Sequence, residues 1–199
     1  MKSLTKSKLS GAMAVVTLVG LSVATDAGAA TPIHTTHPTT LHSSVVKYKL
    51  KKLPFKATYT GTVSLLWNSD SVTVTGVKGR GPATLLGVSS LVGAGTGSAA
   101  NTCNPFSGKG YLVGAGSKLL LSVTTSPSSQ ACAAGQSAPT SVSVKGVAKV
   151  TGGLGKYAGA KGNLNFTGSF SIKSTTAGAT ESDTFTAKIT GTLTIKVKA

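Results

Sequence analysis

Lys188-Ile-Thr-Gly-Thr-Leu-Thr-Ile195 alternates strictly, with Ile189, Gly191, Leu193 and Ile195 on one face and Lys188, Thr190, Thr192 and Thr194 on the other. A period of two with a single apolar face is the pattern of an antiparallel strand buried on one side and wetted on the other. Thr58-Tyr-Thr-Gly-Thr-Val-Ser-Leu65 and Asn165-Phe-Thr-Gly-Ser-Phe-Ser-Ile172 repeat it, each with a glycine on the apolar face. Around these three segments the chain is short strand and turn signal. Phe55 to Trp67, Ser71 to Lys78, about Ala83 to Gly97, Phe106 to Val113, Lys118 to Thr125, Ser141 to Thr151, Lys161 to Lys173 and Asp183 to Lys198 are the expected strands. The fold class is therefore all-β, a single closed or nearly closed antiparallel β-barrel of about eight strands with a flexible N-terminal arm.

Glycine inside a strand forgoes packing and costs conformational entropy, so its recurrence on the apolar face needs a reason. Tight curvature and room for a large neighbour supply one, since small barrels alternate small and large interior residues. Val72, Val74 and Gly76 continue the pattern, as do Val142, Val144, Gly146, Ala148 and Val150. The apolar residue then changes face at Val77 and at Val147, which predicts a glycine-associated bulge at each. The polar stretch from Ser126 to Pro139 reads as a long loop.

Lys2, Lys6 and Lys8 precede an uncharged, mostly apolar run from Gly11 to Ala24 and the small residues Ala27-Gly28-Ala29-Ala30. That order is a secretory signal peptide over 1–29, and its apolar run of about 14 residues falls short of the roughly 20 that span a bilayer. No later stretch is apolar enough to be a transmembrane segment. Residues 30–52 read as a basic, Thr-rich arm, and 53–199 as the barrel domain. His34, His37 and His42 lie on the arm without a carboxylate or cysteine partner, so no metal site is expected there. Cys103 and Cys132 are the only cysteines, and in an oxidising compartment they are expected to pair.

The whole chain carries 20 Lys+Arg against 4 Asp+Glu. Without Lys2, Lys6, Lys8 and Asp26 the balance is 17 against 3, or +14. Such a surface attracts polyanions. Arg80 is the only arginine and aromatic residues are few, so neither arginine forks nor a stacking platform point to specific nucleic-acid recognition. Lys47, Lys49, Lys51 and Lys52 are the candidate contacts for an anionic envelope polymer.

Thr151-Gly-Gly-Leu-Gly-Lys-Tyr-Ala-Gly-Ala-Lys-Gly162 joins two expected strands. Gly153, Gly155 and Ala158 match a dinucleotide-binding spacing, but that motif needs a following helix, and strands flank this one. The segment, with the later Phe-Thr-Gly and the closing Thr-Gly-Thr-Leu-Thr-Ile, resembles the glycine-rich turn of dirigent-like and allene oxide cyclase-like β-barrels, especially secreted bacterial proteins of that type. In this resemblance Gly152, Gly153, Gly155, Tyr157, Ala158, Gly159 and Gly162 form a fold motif: the glycines turn the chain, Tyr157 plugs a barrel end, and Ala158, Ala160 and Gly162 hold the next strand close.

The resemblance implies an interior that takes a small apolar molecule. It does not imply catalysis by itself, since such folds carry several functions. The catalytic and ligand-orienting residues of either family have no counterparts that can be matched here. Among acidic residues Asp70 sits in a turn composition, whereas Glu181 and Asp183, two apart at the start of the last strand, are the only same-face pair and hence the weak catalytic candidates. No histidine in the barrel region stands ready to activate a serine. The expectation is an exported, non-catalytic barrel without cofactor that binds an anionic envelope polymer or a small apolar ligand, the alternative being a cyclase- or dirigent-like enzyme.

Overall fold

The computed structural model describes residues 47–199. The expected signal peptide, most of the arm and its three histidines lie outside the described residues. The strands are β1 (Tyr48–Trp67), β2 (Ser71–Ala83), β3 (Gly87–Ser98), β4 (Cys103–Gly114), β5 (Ser117–Val123), β6 (Gln130–Ala133), β7 (Thr140–Leu154), β8 (Lys161–Ile172) and β9 (Thr180–Lys198). Each pairs antiparallel with its neighbours, and β9 returns to β1, closing an up-and-down barrel of eight strand positions. Closure leaves no open sheet edge around the barrel. No α-helix occurs among the described residues; a single 3-10 turn spans Gly155–Tyr157.

Nine strands fill eight positions because β5 and β6 share one. β5 pairs with Gly108 to Gly114 of β4, and β6 continues the same line against Cys103 to Pro105. Thr124 to Ser129 loop out between them. The expected loop from Ser126 to Pro139 thus contains a four-residue strand, held by pairing to β4 on one side and β7 on the other. Cys103 and Cys132 are direct cross-strand partners and are disulfide-bonded, with a sequence separation of 29. A loop of that size is worth roughly 3.5 kcal/mol by chain entropy, which anchors the broken strand.

Two expectations about phase divide. At β2 the register with β3 shifts between Val74 and Val77, so Val72, Val74 and Val77 all face inward. At β7 no shift occurs at Val147: pairing with β8 runs unbroken from Thr140 to Val150, and Val147 stays on the outer face. There it is half-buried, and its backbone N–H donates to Ser129 Oγ, at the end of the looped-out segment (3.4 Å). The bulge in β7 falls at Thr151, where Leu120 faces Gly152 and Leu121 faces Val150.

The N-terminal boundary also moves. Tyr48–Lys52 are not arm but the first residues of β1, paired with β9 from Lys198 to Thr194. Pairing with β2 begins only at Ala57, and β8 reaches β9 only as far as Thr194. This part of β1 and β9 is therefore a two-stranded ribbon running past the end of the barrel.

Candidate functional site

The barrel interior is filled at one end and hollow at the other. At the ribbon end Phe55, Tyr59, Leu86, Leu112, Leu119, Leu164 and Leu193 are fully buried. Tyr157, 3 % exposed, lies in this layer and donates its hydroxyl to the carbonyl of Leu85, while Tyr59 shares a hydrogen bond with Ser89 Oγ (2.8 Å). The glycines before Tyr157 let the chain double back. Gly155 has a φ of +66°, and a Cβ on Gly153 would lie 2.3 Å from the Tyr157 carbonyl oxygen. Ala158 and Gly159 follow Tyr157 in the exposed part of the turn, Ala160 is buried, and Gly162 sits against Thr192 of β9.

Toward the other end the interior opens into a cavity of about 710 Å³. Its wall includes Val63, Leu65 and Trp67 of β1, Val72, Val74 and Val77 of β2, and Phe185 and Ile189 of β9. Residues of the connecting loops, among them Thr102, Gln136, Ser137 and Thr175, form the rim. Asn104 is the buried polar side chain of the wall, and its amide is taken up by the backbone of Asn101.

Inward glycines divide into two kinds. Gly79 and Gly146 make room for rings: a Cβ would lie 2.7 Å from Phe185 at the first and 2.6 Å from Phe166 at the second. Phe166 in turn meets Phe106 edge-to-face with centroids 6.0 Å apart. On β3 and β4, by contrast, Gly93 faces Gly110 and Gly95 faces Gly108. A Cβ there would strike the neighbouring strand's carbonyl, at 2.4 Å for Gly95 and 2.5 Å for Gly110. This part of the wall is bare backbone, and the space that side chains would fill stays open. Gly93-Ala-Gly-Thr-Gly97 and Gly108-Lys-Gly110 carry that signal in the sequence, as glycine at alternate positions on both strands.

Glu181 and Asp183 stand at the cavity end, opposite Leu65 and Val63 in the inward row rather than on a solvated turn. Glu181 accepts hydrogen bonds from Trp67 Nε1 (2.7 Å) and from the backbone N–H of Lys173 (2.8 Å). Asp183, 7 % exposed, holds Lys173 Nζ at 2.8 Å through Oδ1, while its buried Oδ2 has no hydrogen-bond partner. That ion pair, and behind it the charge of Glu181, push the Lys173 ammonium above its ordinary pKa. Asp70 lies in the turn between β1 and β2, with its carbonyl accepting from the N–H of Ala99. Lys47, Lys49, Lys51 and Lys52 are exposed at the opposite end, on and beside the ribbon. Among the described residues no three His, Cys, Asp or Glu side chains come together as a metal site.

No family model, curated protein or solved structure matches the chain. Function is therefore read from the geometry of the barrel.

Proposed function

We propose that the protein is an exported, non-catalytic barrel that takes a small apolar molecule into the open half of its interior. The observation that carries this reading is the apolar cavity of about 710 Å³, with glycine backbone where packed side chains would otherwise close it. Ligand sites are concave, mostly apolar spaces of roughly 300–1,000 Å³ with a few polar groups to orient the guest. The rim residues Gln136 and Thr175 supply those groups here. The two carboxylates speak for binding rather than chemistry: Glu181 already accepts two hydrogen bonds and Asp183 holds a lysine. The signal-like N-terminus and the Cys103–Cys132 disulfide support export.

The test is a titration with the apolar fluorophore N-phenyl-1-naphthylamine. Trp67, the sole tryptophan and part of the wall, reports occupancy by energy transfer. Ala131→Phe and Ala187→Phe each place a ring in the cavity from a position where the wall is a small side chain. Both should weaken binding about tenfold or more, the size of one to two lost apolar contacts, without lowering the melting temperature. Unchanged affinity in both variants would refute a site inside the barrel.

A further inference from the structure

The two ends of the barrel differ in surface chemistry as well as in packing. The three acidic side chains among the described residues, Asp70, Glu181 and Asp183, all lie at the cavity end. The ribbon at the closed end carries Lys47, Lys49, Lys51, Lys52, Lys196 and Lys198 without one acid. Cross-strand partners share a face, so Tyr48 and Leu50 stand beside their partners Lys198 and Lys196. Tyr48 is 62 % and Leu50 71 % exposed. Leu154, also exposed, leaves the end of β7 at the same end of the barrel, next to Lys156.

We propose that this closed end docks on an anionic lipid bilayer, ribbon first, with the mouth of the cavity held away from the membrane. Lysines near an anionic leaflet are drawn to its headgroups, and apolar side chains beside them enter the headgroup and acyl boundary. A soluble polyanion would engage the lysines but has no use for an exposed Tyr48 and Leu50. A second copy of the chain would bring the same lysines against their likes, since 17 basic residues face 3 acidic ones from residue 47 onward.

Co-sedimentation of the protein as isolated, with its natural N-terminus, tests this against phosphatidylcholine vesicles with and without phosphatidylglycerol, and against soluble polyphosphate. The expected result is binding that requires phosphatidylglycerol and weakens about 25-fold in the Lys196→Gln/Lys198→Gln variant, from roughly fivefold per lysine. Tyr48→Ser/Leu50→Ser should lose vesicle binding about tenfold while binding polyphosphate as before. All four side chains are exposed, so the melting temperatures should not move, and Leu154→Ser gives a second, independent apolar variant. Trp67 lies about 60 Å along β1 from Tyr48 and should escape quenching by brominated lipid. The proposal is overturned if vesicles are not bound, if Tyr48→Ser/Leu50→Ser and Leu154→Ser both bind them like the parent chain, or if brominated lipid quenches Trp67. Polyphosphate binding without vesicle binding would assign the ribbon to a soluble polymer instead.

Discussion

Replacing Gly95 by Ala puts the bare wall of the cavity to a direct test. A Cβ at this inward position would lie 2.4 Å from the carbonyl oxygen of Ser107, 3.2 Å from Cα of Gly108 and 3.4 Å from the Ser107 carbonyl carbon. All three atoms are backbone, so no rotamer change relieves the contact and β3 must move away from β4. Overpacking of this kind costs about 1–3 kcal/mol, and the upper half of that range applies where the obstacle is main chain. In a domain of this size each kcal/mol is worth roughly 2–4 °C, giving a fall of about 5–10 °C in melting temperature. Gly76→Ala is the internal control. Gly76 has no atom within 4 Å of its added Cβ and no positive φ, so reducing the freedom of the unfolded chain should stabilise by about 0.4–1 kcal/mol. Thermal unfolding followed by circular dichroism, with urea titration as a check, reads both variants. Equal shifts, or a neutral Gly95→Ala, would show that β3 and β4 do not approach as closely as the structure places them.

Mutating Cys103 or Cys132 to Ala, singly or together, should lower stability by the same amount, roughly 3 kcal/mol, because either change opens the one crosslink; additive losses on denaturation would contradict the bond. Stability should decline above about pH 10 for two reasons. Burial raises the Tyr59 pKa and the ion pair raises that of Lys173, so each contribution is intact below the unfolded pKa and lost as pH rises through the folded one. Tyr59→Phe and Lys173→Met should each flatten the alkaline limb of a melting-temperature profile, and an unchanged slope in both would remove these groups as its cause.

The strands were legible because half-buried antiparallel sheet imposes a period of two, and Ile189, Gly191, Leu193 and Ile195 obey it without exception. Three features were not, each because the deciding partner is distant in sequence. Gln130–Ala133 is too short to show a period, and only its pairing to β4 and β7 makes it a strand. Tyr48–Lys52 alternates apolar and basic residues, which alone reads as a solvated arm; its pairing with β9, some 140 residues on, makes it a ribbon. Asp183 looks like an ordinary polar residue near a turn, yet its register opposite Val63 turns it inward and leaves Lys173 to neutralise it. Inward glycine was visible in the sequence, but not whether a neighbouring ring or nothing at all would use the room. Gly146 receives Phe166, whereas Gly95 and Gly108 face each other.

That difference bears on whether the cavity is an accident of packing. A sealed dry void costs about 24 cal/mol per Å³, so 710 Å³ closed inside a core would cost on the order of 17 kcal/mol, more than the 5–15 kcal/mol by which domains are usually stable. The space is affordable only because it opens at the barrel end, where loop residues such as Thr102 and Thr175 rim it, and because the opposite end is closed by the buried side chains of Tyr59, Phe55 and Tyr157. Solvent that enters meets a mostly apolar wall with few hydrogen-bonding partners, so an apolar guest displaces it at a gain. With β3 and β4 this close, even a Cβ at Gly95, Gly108 or Gly110 would strike the neighbouring main chain, so the same glycines that let the strands approach leave the wall without side chains. Glycine on both strands at two consecutive inward pairings of β3 and β4, Gly93 with Gly110 and Gly95 with Gly108, with the plug kept intact, is the arrangement that keeps a site open while leaving stability to the other end.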